Sequence, residues 1–259
     1  MIKLAGVTHH YGVHPVLRSL DLEIARGELV AVMGPNGMGK STLLSVMAGA
    51  LWPLKGYVEI DGRCRRASVE DEMAIRRQTA YLPDDPWLPL NRTGREFLLA
   101  VGRLYEIDDE RLMDHVDRLL QLFQLEAKSD STIGSYSSGQ KKKIAVCSAL
   151  VTETPVLIMD EPFSGGLDPS ALLALKCVLM RLAERDDVTV VVATQVPELV
   201  EGLAHRIVVL RNGEILTFDT LDGLREQAQC DGSLQEVLER LINPETLENI
   251  ERYFEVRSK

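Results

Sequence analysis

The sequence predicts an α/β fold with a mostly parallel sheet, an antiparallel β segment at its N-terminal end and an inserted block of helices. Three patterns carry this reading. The first sixty residues read as short strands, residues from about 93 to 127 switch to an apolar repeat every three or four positions, and the remainder alternates apolar runs with helical segments. Buried strands alternating with helices imply a parallel sheet covered on both faces.

Taken in order, "VLRSLDLEIARGELVAVMG" (16–34) alternates apolar and polar positions and then becomes a continuous apolar run ending in glycine. "GYVEIDG" (56–62) adds a strand closed by the turn pair Asp61 and Gly62. The helical block follows, with Phe97, Leu98, Val101 and Leu104 and then Leu112, Val116, Leu119, Leu120 and Phe123 in register. "KKKIAVCSALVTE" reads as a helix, "PVLIMDEP" (155–162) as a buried strand, 169–185 as a helix and "VTVVVATQ" (188–195) as another buried strand. "HRIVVLRNGEILTF" (205–218) is a hairpin turning at Asn212 and Gly213, and Leu234, Val237, Leu238, Leu241 and Ile242 share one helical face.

At 259 residues and 45% hydrophobic content the chain is long enough for a sizeable core. A net charge of −10 argues against general affinity for nucleic acid or anionic lipid, and no nucleic-acid partner is expected. Cys64, Cys147, Cys177 and Cys230 lie far apart with no metal-ligand spacing, as reduced cytosolic thiols would. The apolar runs are about half the length needed to cross a bilayer, so membrane attachment is expected only through a partner.

"GPNGMGKST" places Gly34, Pro35, Asn36, Gly37, Met38, Gly39, Lys40, Ser41 and Thr42 between a buried strand and a helix. Glycines at this spacing let backbone N–H groups point inward, and the helix N-terminus adds positive potential, which is a phosphate site of the P-loop NTPase kind. Lys40 is then placed to bridge β- and γ-phosphates and the Ser41 hydroxyl to ligate Mg²⁺. At the end of the strand "VLIMD", Asp160 is placed to hold the same Mg²⁺, and Glu161 to act as general base or to orient the attacking water. Adjacent buried acids are rarely structural, because an unpaired buried charge is expensive.

With the phosphate loop, "SYSSGQKKK" and "MDEPFSGGLD" in this order, the chain resembles the nucleotide-binding domain of ATP-binding cassette (ABC) proteins over roughly residues 2–220. The resemblance implies an ABC ATPase domain at 1–225, with its helical subdomain at about 84–135, followed by a C-terminal helical extension at 226–259. It implies ATP and Mg²⁺ as cofactors and a head-to-tail dimer with a second ABC subunit, the same chain or another. Ser137, Ser138, Gly139 and Gln140 match the signature that caps ATP bound to the other subunit. Tyr11, in "HHYG" before the first long hairpin, matches the aromatic residue that stacks on adenine. Leu167 and Asp168 match the segment that crosses the dimer interface, with one residue more than the commonest pattern separating them from Glu161.

Three positions depart from the family pattern. Asp84 stands where a glutamine usually contacts metal and water, and an anion there is unfavourable unless it faces metal or a lysine. Ser138 stands at the first signature glycine. Gln195 replaces the histidine that donates to the γ-phosphate, and losing one well-placed donor costs about 3 kcal/mol, on the order of a hundredfold in rate, so slow hydrolysis is expected.

"YLPDDPWLPLNRTGREFLLAVGRLY" resembles the exporter branch of the family. The expected function is therefore an ATP-hydrolysing subunit that powers export through a separate membrane permease, held peripherally at the cytoplasmic face. Trp87, Leu88 and Phe97 are expected either to line the groove for that permease or to form the core of the helical lobe. Two alternatives stay open: a hydrolysis-impaired regulatory partner in a heterodimer, motivated by Gln195, and a non-transport ABC ATPase.

Overall fold

A computed structural model describes residues 1–242 of the protein. In chain order its elements are β1 (Ile2–Tyr11), β2 (His14–Ile24), β3 (Leu29–Met33), α1 (Lys40–Ala48), β4 (Lys55–Ile60), β5 (Arg63–Cys64) and α2 (Val69–Gln78). They continue with β6 (Thr79–Leu82), α3 (Gly94–Leu104), α4 (Asp109–Leu122), α5 (Ser138–Leu150), β7 (Val156–Asp160), α6 (Pro169–Ala183) and β8 (Thr189–Ala193). The last are α7 (Pro197–Val200), β9 (Arg206–Arg211), β10 (Glu214–Asp219), α8 (Leu221–Ala228) and α9 (Leu234–Ile242).

Two sheets result. The antiparallel one runs β2-β1-β4-β5, and the other runs β10-β9-β3-β8-β7-β6. In the second sheet β9, β3, β8, β7 and β6 are parallel neighbours and only β10 is antiparallel. Every residue of β3, β7 and β8 is buried, the apolar runs together with the polar Asp160 at the end of β7 and Thr189 at the start of β8. Alternate residues of β3 serve different cores: Val30 and Val32 pack with Leu43, Leu44 and Met47 of α1 and the antiparallel sheet, while Leu29, Ala31 and Met33 join the helical side. The sheet thus holds the ends of β3, β7 and β8 side by side, which is what builds the site.

The helical lobe forms where the apolar repeat placed it. A capping box at Thr93 and Glu96 starts α3, and Asp108 caps α4 through the Glu110 and Arg111 N–H groups. Among the described residues no helix is long and apolar enough to cross a membrane.

Three elements escape the sequence patterns. β1 carries register shifts near Val7 and His9 that break its alternation, and it places Tyr11 at the tip of the first hairpin, not before it. α2 buries only Ile75; it is held by the Ser68 cap and by Arg65, whose guanidinium pairs with Glu72 at 3.2 Å. α8 starts at Leu221, ahead of the expected boundary at 226, capped by Thr220. α9 buries Leu234, Val237, Leu238 and Ile242 on the expected face, and the rest of the predicted extension lies outside the described residues.

Candidate active site

The phosphate loop joins β3 to α1. Gly39 is the N-cap of α1 with φ 100°, and no side chain caps the helix, so its first N–H groups are left for an incoming anion. A side chain at Gly39 would also bring its Cβ to 2.9 Å from the Val16 carbonyl oxygen of β2. That contact seats the loop against the hairpin whose tip bears Tyr11. Tyr11 itself is 63% exposed, its ring edge-on to His9 at 4.9 Å, which leaves a free aromatic face. Met38 Sδ accepts from the Asn212 N–H at 3.2 Å, tying the loop to the β9–β10 turn, while Asn36 and Gly37 form its exposed rim.

Lys40 Nζ is buried and donates to the Gly34 and Pro35 carbonyls at 2.8 and 3.3 Å. Desolvation pushes its pKa down, and the nearby Glu161 and Asp160 carboxylates oppose that shift. Asp160, 2% exposed at the end of β7, is raised by desolvation, while a hydrogen bond from Ser41 works the other way. Its Oδ1 is buried and has no hydrogen-bond partner. An orphaned carboxylate oxygen beside a serine hydroxyl is what a hard divalent cation would satisfy, so Ser41 and Asp160 fit Mg²⁺. Thr42, next in α1, is buried.

Glu161 follows with φ 43°, left-handed backbone that a glutamate adopts only under constraint; its N–H donates to the Ala193 carbonyl of β8 at 2.9 Å. Desolvation raises its pKa first, Asp160 adds to that, and Lys40 and Thr194 act against it. Gln195 is exposed just beyond β8 and lines a cavity of about 420 Å³ with Gly34, Pro35, Leu238 and Ile242.

Ser137 and Gln140 close a capping box at the start of α5: the Ser137 N–H donates to Gln140 Oε1 at 3.0 Å, and the Gln140 N–H donates to Ser137 Oγ at 3.3 Å. Gly139 is required by close approach, since its Cβ would stand 2.6 Å from the Gly166 carbonyl oxygen. Ser138 is exposed next to that contact. Leu167 is buried in its own chain's core, and Asp168 caps α6 through the Ala171 N–H at 2.9 Å.

The lysines after the signature are the feature that sequence reasoning missed. Lys142 and Lys143 are 6% and 7% exposed, not a solvated face. Lys143 Nζ lies 2.6 Å from Asp168 Oδ2, and Lys142 Nζ lies 3.7 Å from Asp84 Oδ1. Asp84 thus faces a lysine, the condition under which an anion is tolerable there. A run of three lysines one turn into a helix was the available signal, but nothing local names their partners. Trp87 and Leu88 line a cleft of about 790 Å³ with Ser138 and Lys142, while Phe97, and Leu88 with it, packs against the lobe core.

The Asp168 pair yields a stability prediction. Asp168→Ala removes a helix cap and strands a buried ammonium, so it should destabilise the fold by about 1–3 kcal/mol, lowering Tm by several degrees. The hydrogen bond from Lys143 holds the Asp168 carboxyl below its ordinary 3.8, so its contribution is fully present above 3.8 and is lost as pH falls through the depressed value. Thermal melts of Asp168→Ala and the parent should therefore differ at neutral pH and converge in strong acid.

Comparison with known proteins gives a consistent set of relatives. The family model described as "ABC transporter" matches residues 17–164. The daunorubicin resistance ATP-binding protein DrrA3 of Streptomyces coeruleorubidus is 33% identical over 89% of this chain and 71% of its own. The sulfate/thiosulfate import ATP-binding protein CysA of Caulobacter vibrioides is 32% identical over 87% of this chain and 66% of its own. A solved ATP-binding subunit of an ABC transporter superposes with a TM-score of 0.83 at 31% identity, covering 93% of this chain and 99% of that one. A dimeric ATP-binding cassette in a post-hydrolysis state bound to ADP and Pi gives 0.75 at 28% identity, covering 85% and 99%.

Proposed function

This chain belongs to the ABC transporter family as an ATP-binding, ATP-hydrolysing subunit, and we propose that it pairs head to tail with a second cassette and drives a permease carried on a separate chain, in the direction of export. The observation that carries the catalytic part is that Lys40, after β3, stands within electrostatic reach of Asp160 and Glu161 at the end of β7, with β8 between the two strands. Dimeric cassettes among the structural neighbours support the pairing. The direction rests on the "LPDDPW…TGREFL" entry to the helical lobe, since importers and proteins of export both stand among the relatives.

In this reading the α1 N-terminus and Lys40 hold the phosphates, and Tyr11 stacks on the adenine. Ser41 and Asp160 would hold Mg²⁺, which offsets phosphate charge when bound. Glu161 orients the attacking water and accepts its proton; the pKa raised by burial suits a base. The α5 N-terminus, already organised by Ser137 and Gln140, faces the nucleotide of the second cassette, and Leu167 and Asp168 report on that contact. ATP closes the pair, hydrolysis and phosphate release reopen it, and the permease follows. The cleft holding Trp87 and Leu88 is the docking place we assign to the permease, which keeps the chain at the cytoplasmic face of the membrane. Affinity capture of the full chain should recover a multi-span membrane protein; a chain that turns over ATP with no such companion would contradict the transport role.

Gln195 favours a second feature, slow turnover. A neutral amide on an exposed segment cannot place charge as an imidazole can. Gln195→His should raise kcat about tenfold to a hundredfold with little change in KM. An unchanged kcat would show that Gln195 is no brake, and with it the regulatory-partner reading would fall.

A further inference from the structure

Two segments converge on Asp84, which lies between β6 and α3. From α5, Lys142 Nζ donates to the Asp84 carbonyl at 3.2 Å and stands 3.7 Å from its carboxylate. From the β7–α6 segment, Ser164 Oγ lies 3.1 Å from Asp84 Oδ1 and 2.8 Å from the Glu161 carbonyl oxygen, its one proton shared between the two acceptors. The Lys142 stem needs room to reach this point. Gly165 provides it, because a Cβ there would stand only 3.3 Å from Lys142 Cδ. Asp84 is the leading counter-charge of this buried ammonium, ahead of Asp160 and Glu161, and a glutamine at position 84 would not supply it. The acid at 84, the lysine at 142 and the extra glycine therefore fit one another as a set.

Resting on the assignment of Glu161 to hydrolysis, we propose that Asp84, Lys142 and Ser164 form a clamp that positions the strained turn at Glu161, with Asp84 acting through its partners and not on nucleotide or metal. The clamp ties the entry to the helical lobe, the signature helix and the water-orienting turn within one chain. Movement of the lobe is thereby carried to Glu161 through a charge pair.

The test is a double-mutant cycle on the full chain, reading kcat, KM for ATP and the magnesium concentration for half-maximal activity. Asp84→Asn and Lys142→Met should each lower kcat about tenfold with KM and the magnesium requirement unchanged, and the double variant should be no worse than the poorer single. Lys142→Arg, which keeps the charge and guards against simple misfolding, should retain most of the rate. Additive losses, unchanged kcat in both singles, or a raised magnesium requirement in Asp84→Asn alone would overturn the clamp. Glu161→Gln run alongside separates the two claims: full turnover there would remove the assignment of Glu161 itself.

Discussion

Glu161→Gln is expected to lower ATP turnover by about a hundredfold to ten-thousandfold while leaving ATP affinity within about a factor of three. The substitution is nearly isosteric, so the backbone bond to Ala193 and the left-handed turn that aims the side chain should persist. What is lost is the capacity to accept a proton. Binding is expected to survive because the phosphate contacts proposed above, from the α1 N-terminus and Lys40, are left in place by the substitution. Single-turnover phosphate release and equilibrium nucleotide binding measure the two quantities separately. Release at the parental rate would remove Glu161 from the chemistry.

Lys40→Met should act on the other quantity, weakening ATP binding by roughly a hundredfold, about 3 kcal/mol. Lys40 acts on Asp160 and Glu161 ahead of Lys142, and its loss leaves two carboxylates less compensated opposite an incoming polyphosphate. It also frees the Gly34 and Pro35 carbonyls, which Lys40 now satisfies, so the loop loses an internal brace. Calorimetric titration with ATP and Mg²⁺ measures the effect. Parental affinity would mean that the helix N-terminus alone carries phosphate binding.

The parts of this site legible in the sequence are those whose physics is local. Gly39 and Lys40 sit within one loop and Asp160 and Glu161 end one strand, so spacing exposes them, whereas Ser137 and Gln140, which cap one helix, were reached only through the resemblance of their motif. The parallel sheet was legible because β3, β7 up to Met159 and β8 from Val190 are continuous apolar runs. Lys142 and Asp84 were not legible as a pair, because 58 residues and a helical lobe separate them. Gly139 and Gly166 likewise meet only in three dimensions. α2 escaped because a cap and a buried arginine hold it where an apolar stripe would normally do so.

The composite site is tested most directly by the mass in solution of the Glu161→Gln protein, measured by sedimentation velocity with and without ATP and Mg²⁺. With hydrolysis blocked and phosphate binding intact, saturating ATP should convert a single cassette to a pair holding two nucleotides, and bulk added at Ser137 should prevent the conversion. A protein that binds ATP yet stays single would contradict a signature that completes its neighbour's site.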